Sequence, residues 1–502
     1  MTIEGSLIKR NIAANLIGTG VVTILTLVIT PLQIKILGIE AYGIVGFIAT
    51  LQVIFAVFDL GLSSTLTREL AIDCSPNKMS CRSLISTVSG VYWLAAISIS
   101  VLIIVFAGPI SQWWFHAGEV SQDTLTFSVR VIGLYLGLRW PVAMYAGILS
   151  GLQHMHVLNI VKVGVTIFRL GGGVGVLLIW RNLDIFLIWV AISGLFELGC
   201  YWFACRRSFP GLSLFKHFSI DEIKRVWKFS FSMNALSILA IMIVQMDRLM
   251  ISKLDTLEIL GYYNFAYMAV TGLSLVLSSI SSAVLPWLAN SLQSNNKADL
   301  VNRYEKSSLL ILLVVGFFAC AMVFYPYLLL SMWVDKNTAL NASNIFLLLA
   351  LGTWLSAINT NLYNVAIASG QPYWHLRVNI ILIAPYTAAL YFLIENFGGI
   401  GAAIGWILLN LGYILFLSKT ISVNILRIKA SKLFKEIVFP ALFVTLVSYV
   451  PLKIISTIFS FEQPGELSIL LLSSVIYLLI GYLVLPKTLK VNIIGRGLKN
   501  IF

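Results

Sequence analysis

The sequence predicts an all-α polytopic membrane protein of about 14 transmembrane helices, with both termini on the inner side. Three observations carry that prediction. The 502 residues are 59% hydrophobic and 11% charged, with a mean hydropathy of +0.92; soluble globular chains sit near 45–50% apolar and about 25% charged. The apolar residues come in blocks long enough for the roughly 20-residue helix that crosses a bilayer, and not in the roughly ten-residue alternating segments of a membrane barrel. The basic residues, finally, gather on one side of the resulting topology. Because the backbone must satisfy its own hydrogen bonds in hydrocarbon, helices are the spanning element.

The spans fall near residues 12–34, 42–66, 83–107, 125–150, 157–180, 184–204, 229–251, 259–289, 307–330, 342–369, 376–396, 400–419, 437–457 and 467–485. The polar start (Thr2, Glu4, Ser6, Lys9, Arg10) leads straight into the first of them with no small-residue cleavage site, so that span serves as its own insertion signal. Inner segments then hold Arg68, Lys78 and Arg82, the group from Arg206 to Lys228, Lys297, Arg303, Lys306, Arg377, Lys419, the group from Arg427 to Lys435, and the tail after Lys487. Outer turns hold only Lys35, Arg181, Lys253, Lys336 and Lys453. That asymmetry fixes an N-in, C-in topology and accounts for the net charge of +13 without a nucleic-acid partner. The longest outer loop, 108–124, carries Trp113, Trp114 and Phe115 at the level of an interfacial aromatic belt. The five cysteines lie in spans or inner segments with no metal-knuckle spacing, and read as packing residues.

One longer inner segment separates six spans from eight. It divides the chain into an N-terminal lobe (1–205), an inner linker (206–228), a C-terminal lobe (229–420) and a final pair of spans with a basic tail (421–502). Ser219-Ile220-Asp221-Glu222 reads as a helix start, with Ile223, Val226 and Trp227 along the inner surface. The phrase Leu37-Gly38-Ile39-Glu40-Ala41-Tyr42-Gly43 opens the second span, and a degraded copy, Leu257-Glu258-Ile259-Leu260-Gly261-Tyr262-Tyr263, opens the eighth. Both lobes start from the inside, so the duplication is parallel, about an axis along the membrane normal.

Charges inside spans mark the candidate site. At mid-bilayer each costs about 2.5–3.5 kcal/mol on insertion scales and faces a wet cavity or a partner. The set is Arg130, Arg139, Lys162, Arg169 and Arg248, with the acids Asp59, Glu197 and Asp247. Lys162 and Arg169 are seven apart and share a helix face with Thr166; Tyr135 and Arg139 form an i,i+4 pair. Arg130 points to the opposite face, near the outer boundary, where it can snorkel. Gln52, Asp59 and Ser63 align on span two, and Asn234, Ser237, Gln245 and Arg248 on span seven. The second lobe offers Tyr263, Tyr267, Asn359 and Asn364. Arginine forks grip phosphate oxygens, while aromatic faces and amides suit sugar rings. The competing reading pairs each arginine with an acid, Arg169 with Glu197 or Arg139 with Asp59, to hold helices together. Asp59, Glu197 and Asp247 are therefore coupling or structural acids. Gly171-Gly172-Gly173-Val174-Gly175 follows no strand and reads as close helix packing or a local break, not a phosphate loop. His154 and His156 are spaced to face apart, and no metal set, catalytic triad or nucleotide motif is present.

The L-G-x-x-x-Y-G phrase, then Phe58-Asp59-Leu60-Gly61-Leu62-Ser63-Ser64-Thr65-Leu66-Thr67-Arg68, then the segments 147–158, 245–254 and 261–286, resemble the polysaccharide-export branch of the MOP exporter superfamily, and within it the Wzx-type O-antigen flippases. The resemblance covers roughly residues 8–420 and implies two six-helix bundles in a V plus two C-terminal helices. It implies a non-enzymatic inner-membrane flippase for undecaprenyl-pyrophosphate-linked oligosaccharide, with no cofactor beyond a coupling H+ or Na+, alongside other polysaccharide-assembly membrane proteins. A small-cation exporter of the MATE type is the alternative, and predicts net acid in the cavity. A polysaccharide polymerase or ligase would need a large outer loop that this sequence lacks.

Overall fold

The computed structural model of the chain describes residues 3–73, 79–116, 118–210, 218–293, 297–459 and 461–486. It is all helical: α1 (Ile3–Leu37), α2 (Ile39–Val57), α3 (Leu62–Asp73), α4 (Met79–Val105), α5 (Ala107–Trp114), α6 (Gln122–Gly151), α7 (Met155–Trp180), α8 (Leu183–Ser208), α9 (Ile220–Leu254), α10 (Leu257–Gln293), α11 (Lys297–Phe324), α12 (Pro326–Ser331), α13 (Lys336–Ala368), α14 (Tyr373–Ile421), α15 (Ala430–Leu433), α16 (Phe439–Ile458) and α17 (Gln463–Val484). Short π-helical turns flank α15 at Ser422–Leu426 and Phe434–Val438. Twelve helices among the described residues are long and apolar enough to cross a membrane. One of them is the stretch containing α14, which breaks at Gly398 (φ 54°) into arms that match the expected spans 376–396 and 400–419. By internal packing the chain divides into Met1–Gly261 and Tyr262–Phe502, so α9 and the first turn of α10 pack with the first unit.

Two local expectations change, at span two and at Cys81. Span two is not one helix: α2 ends at Val57, and Leu60 (φ 47°) and Gly61 (φ 78°) turn left-handed before α3 begins. A glycine suits that conformation and a leucine does not, so the Asp-Leu-Gly phrase encodes a break. The helix start expected at Ser219 is observed: Ser219 is the N-cap residue of α9, which begins at Ile220 and runs on into span seven, and the Ser219 backbone amide donates to Thr87 Oγ1 at 2.9 Å. The side chains of Ile223, Val226 and Trp227 lie outside the described residues. Cys81 is disulfide-bonded and so is not a packing thiol, whereas Cys200, Cys205 and Cys320 are free.

Glycines set how closely the first unit's helices approach. A Cβ at Gly147 would lie 2.8 Å from the Ser63 carbonyl, and one at Gly151 2.8 Å from that of Thr67. Thr67 Oγ1 bonds Gly147 O at 3.0 Å in the same crossing of α3 and α6. The glycine run of α7 causes no break, and two of its members pack on α8: a Cβ at Gly172 would meet the Trp189 ring at 2.2 Å and one at Gly173 the Phe186 ring at 3.1 Å, while Gly171 and Gly175 have open space. The two copies of the repeated phrase meet each other. A Cβ at Gly43 would lie 2.1 Å from Leu257 O, and a Cβ at Gly261 2.1 Å from Ile39 O. Backbone faces backbone there, so no side chain can yield.

Gly261→Ala should therefore lower the thermal midpoint of the purified protein, costing about 1–3 kcal/mol as an overpacking substitution. Gly164→Ala, whose Cβ enters open space, is the control, and detergent melts of both variants check the difference.

Candidate functional site

A cavity of about 510 Å³ lies within the first unit, and α2, α6, α7 and α8 supply its polar wall. Its lining includes Gln52, Arg139, Lys162, Thr166, Arg169 and Glu197. Three cations against one carboxylate leave an excess of two positive charges in this lining. The helical spacing explains the convergence. Lys162, Thr166 and Arg169 share one stripe of α7, and Arg139 approaches from α6 one turn beyond Tyr135.

The three cations are held differently. Arg139 donates from Nη2 to Glu197 Oε1 at 3.0 Å and from Nη1 to Gln52 Oε1 at 2.6 Å, and its Nε makes an ion-pair contact with Glu197 Oε2 at 2.9 Å without a hydrogen bond. Glu197 is nearly inaccessible while the arginine side chain stays 30% exposed, toward the cavity. Arg169 donates from Nη1 to the buried Tyr135 hydroxyl at 3.0 Å, and Lys162 reaches Thr19 Oγ1 at 3.5 Å. Neither has a carboxylate partner among the described residues. Trp189 fixes α8 to α7 beside Arg169 by donating to its carbonyl at 3.1 Å.

The other candidate residues fall elsewhere. Asp59 accepts from the Ser63 amide at 3.2 Å and from its hydroxyl at 2.5 Å, so its side chain takes up one of the open amides in the first turn of α3. Arg130 is exposed. Asp247 and Arg248 are both buried and pair with each other at 3.7 Å, outside the cavity lining. Asn234 and Ser237 have side chains outside the described residues. In the second unit Tyr263 is fully buried, and Tyr267 is half-buried. There, Asn359 Nδ2 donates to Asn410 O at 3.1 Å, and Asn364 exchanges hydrogen bonds with Ser281 at 2.8 and 3.0 Å. Sequence reasoning aligned Gln52 with Asp59 and Ser63 without giving it a partner, and it missed Thr19 and Trp189 entirely. Both lie on helices whose relative rotation no local pattern reveals.

A second cavity, of about 330 Å³, is lined only by apolar residues, among them Phe47, Leu51, Trp113, Trp114 and Phe115. Phe55 lines both cavities. The loop after α5 is tied down around this end. Glu40 accepts from the Glu119 amide at 3.0 Å and from the Val120 amide at 3.3 Å, Trp114 Nε1 donates to Ser252 Oγ at 3.0 Å, and Lys253 donates to the Trp113 carbonyl. Burial pushes the Asp255 carboxyl up in the adjoining turn, partly offset by the Thr256 amide.

Residues 8–292 match the family described as "Polysaccharide biosynthesis protein", and residues 234–393 match the MatE family. A Shigella flexneri protein named "Putative O-antigen transporter" is 23% identical over 406 residues, 80% of this chain and 94% of its own length. Among solved structures, the lipid II flippase MurJ in an inward closed conformation superposes with a TM-score of 0.74 at 16% identity, covering 93% of this chain and 97% of that one. An inward-facing multidrug MATE transporter of the MOP superfamily gives 0.61 at 13% identity, with coverages of 80% and 95%.

Removing one member of the Arg139–Glu197 pair strands the other. Arg139→Ala should destabilise by about 3 kcal/mol, the low end for breaking a buried ion pair, and Lys162→Ala by much less. Adding Glu197→Ala to Arg139→Ala should recover part of the loss, which a double-mutant cycle of thermal melts would measure.

Proposed function

This chain belongs to the polysaccharide biosynthesis protein family, and from that premise we propose that it is a flippase for a lipid-linked oligosaccharide. The finer reading is that it moves undecaprenyl-pyrophosphate-linked oligosaccharide, an O-antigen or similar repeat unit, from the inner to the outer leaflet of the cytoplasmic membrane by alternating access. One observation carries this: a cavity within the membrane-spanning helices holds Arg139, Lys162 and Arg169 against the single carboxylate of Glu197. Such a surplus suits an anionic head group and opposes a cationic drug, so it favours the flippase over the MATE-type exporter. The MurJ likeness supports the fold, and the name of the Shigella relative supports the substrate class.

In this reading Lys162 and Arg169 make first contact with the diphosphate, since neither is engaged by a carboxylate among the described residues. The guanidinium of Arg169, oriented by Tyr135, offers parallel N–H groups to phosphate oxygens. Of the candidates outside the cavity lining, half-buried Tyr267 and exposed Arg130 are open to contact, whereas Tyr263, Asn359, Asn364 and the Asp247-paired Arg248 are buried. Phe55 lines both the charged cavity and the apolar one, so a head group passing from one to the other would meet this residue.

Deleting the gene should leave lipid-linked oligosaccharide on the inner leaflet. Normal glycan display combined with new drug sensitivity would sink the proposal. Arg169→Ala and Lys162→Ala should each cut export about tenfold or more, as expected for losing a hydrogen-bonded charge contact of roughly 1.5–3 kcal/mol. Arg169→Lys should recover only part of it, because an ammonium lacks the planar fork. Surface glycan in a deletion strain complemented with each variant reads the effect.

A further inference from the structure

Glu197 has no place in a site built only to attract an anion. It is buried, it lines the charged cavity, and it occupies the Nε and Nη2 positions of Arg139. These are the two parallel donors that a phosphate would use. A carboxylate there lowers the cavity's charge from three to two and fills its best-formed fork. For a receptor that would be a defect. For a carrier it is an asset, because passage needs binding strong enough to load the cargo and weak enough to release it.

We propose that Glu197 is an internal counter-anion that competes with the substrate's diphosphate for Arg139, and so sets the release of the head group. This rests on the flippase reading of the cavity. Loading proceeds on Lys162 and Arg169; as the diphosphate engages Arg139, the Glu197 carboxylate yields part of the fork while Gln52 keeps Nη1. On release the carboxylate returns to Nε and Nη2, so neither Arg139 nor the buried Glu197 is left without a partner at any stage. Glu197 is thus a positioning residue that acts through Arg139 and need not touch the cargo. No proton or second ion is required for the exchange.

The test measures affinity and turnover separately on the full-length protein. The probe is a fluorescent short-chain prenyl diphosphate sugar, bound in detergent and followed across proteoliposome leaflets by dithionite quenching. Glu197→Gln keeps the shape and an acceptor oxygen while removing the charge. Its affinity for the probe should tighten about tenfold, the scale of one unit charge acting across a partly solvated cavity, while transport slows several-fold. A merely structural glutamate would weaken both. Gln52→Glu is the converse variant: it keeps the acceptor at Nη1, adds a second competing carboxylate, and should weaken binding about tenfold. It also decides the matter if Glu197→Gln does not fold. Unchanged or weaker affinity in Glu197→Gln, or unchanged affinity in Gln52→Glu, overturns the competition. If the wild-type protein binds no diphosphate probe at all, the flippase reading itself fails.

Discussion

The fork between Arg139 and Glu197 is the interaction on which the rest of the first unit depends. It ties α6 to α8, and through Gln52 it reaches α2, so three helices are held by one guanidinium. In a membrane that bond has no cheap substitute, since an unpaired charge at mid-depth costs more than most packing contacts return. With Arg139 satisfied locally, Lys162 and Arg169 can stand on α7 without a carboxylate, facing a cavity in place of lipid. The pair ties the wall together, and Lys162 and Arg169 line it without a carboxylate partner among the described residues.

Close backbone approach is the second constraint. The family-like phrases recognised in the sequence turn out to be contact surfaces for one another. The Ser/Thr-rich start of α3 lies on Gly147 and Gly151, and the opening phrase crosses its own degraded copy at Gly43 and Gly261. Small residues let helices approach where lipid offers no hydrophobic drive to assemble them. Asp59 belongs to this architecture. Its side chain takes up the Ser63 amide in the first turn of α3, just after the left-handed turn at Leu60 and Gly61, so a chain that reads as one span is made from two helices.

Much of this was legible in the sequence for a physical reason. Bilayer thickness and backbone satisfaction force long apolar helices, and the charge asymmetry of their ends is a matter of counting. The α7 stripe was equally visible, because seven residues return to the same face. What could not be read was any quantity set by helix rotation against a neighbour. Nothing local distinguishes Arg139 paired with Glu197 from Arg139 paired with Asp59. The depth of Arg130 was ambiguous for the same reason. Span two misled because Asp-Leu-Gly sits inside an apolar run, where hydropathy outweighs a turn signal.

The polar side chains of the second unit are engaged differently from the cations of the cavity in the first. Asn364 both donates to and accepts from Ser281, and the Asn359 amide nitrogen already donates to Asn410. Trading such a bond for one to a sugar hydroxyl exchanges like for like and yields little net free energy. Under the proposed function, a diphosphate entering beside Arg169 and Lys162 would find charges that lack any carboxylate partner among the described residues, so each contact would be a gain. Binding built this way depends on the charged head far more than on the sugars behind it. It would carry repeat units of differing composition provided they share that head, and the identity of the sugars would enter through what fits the cavity and not through what bonds to it.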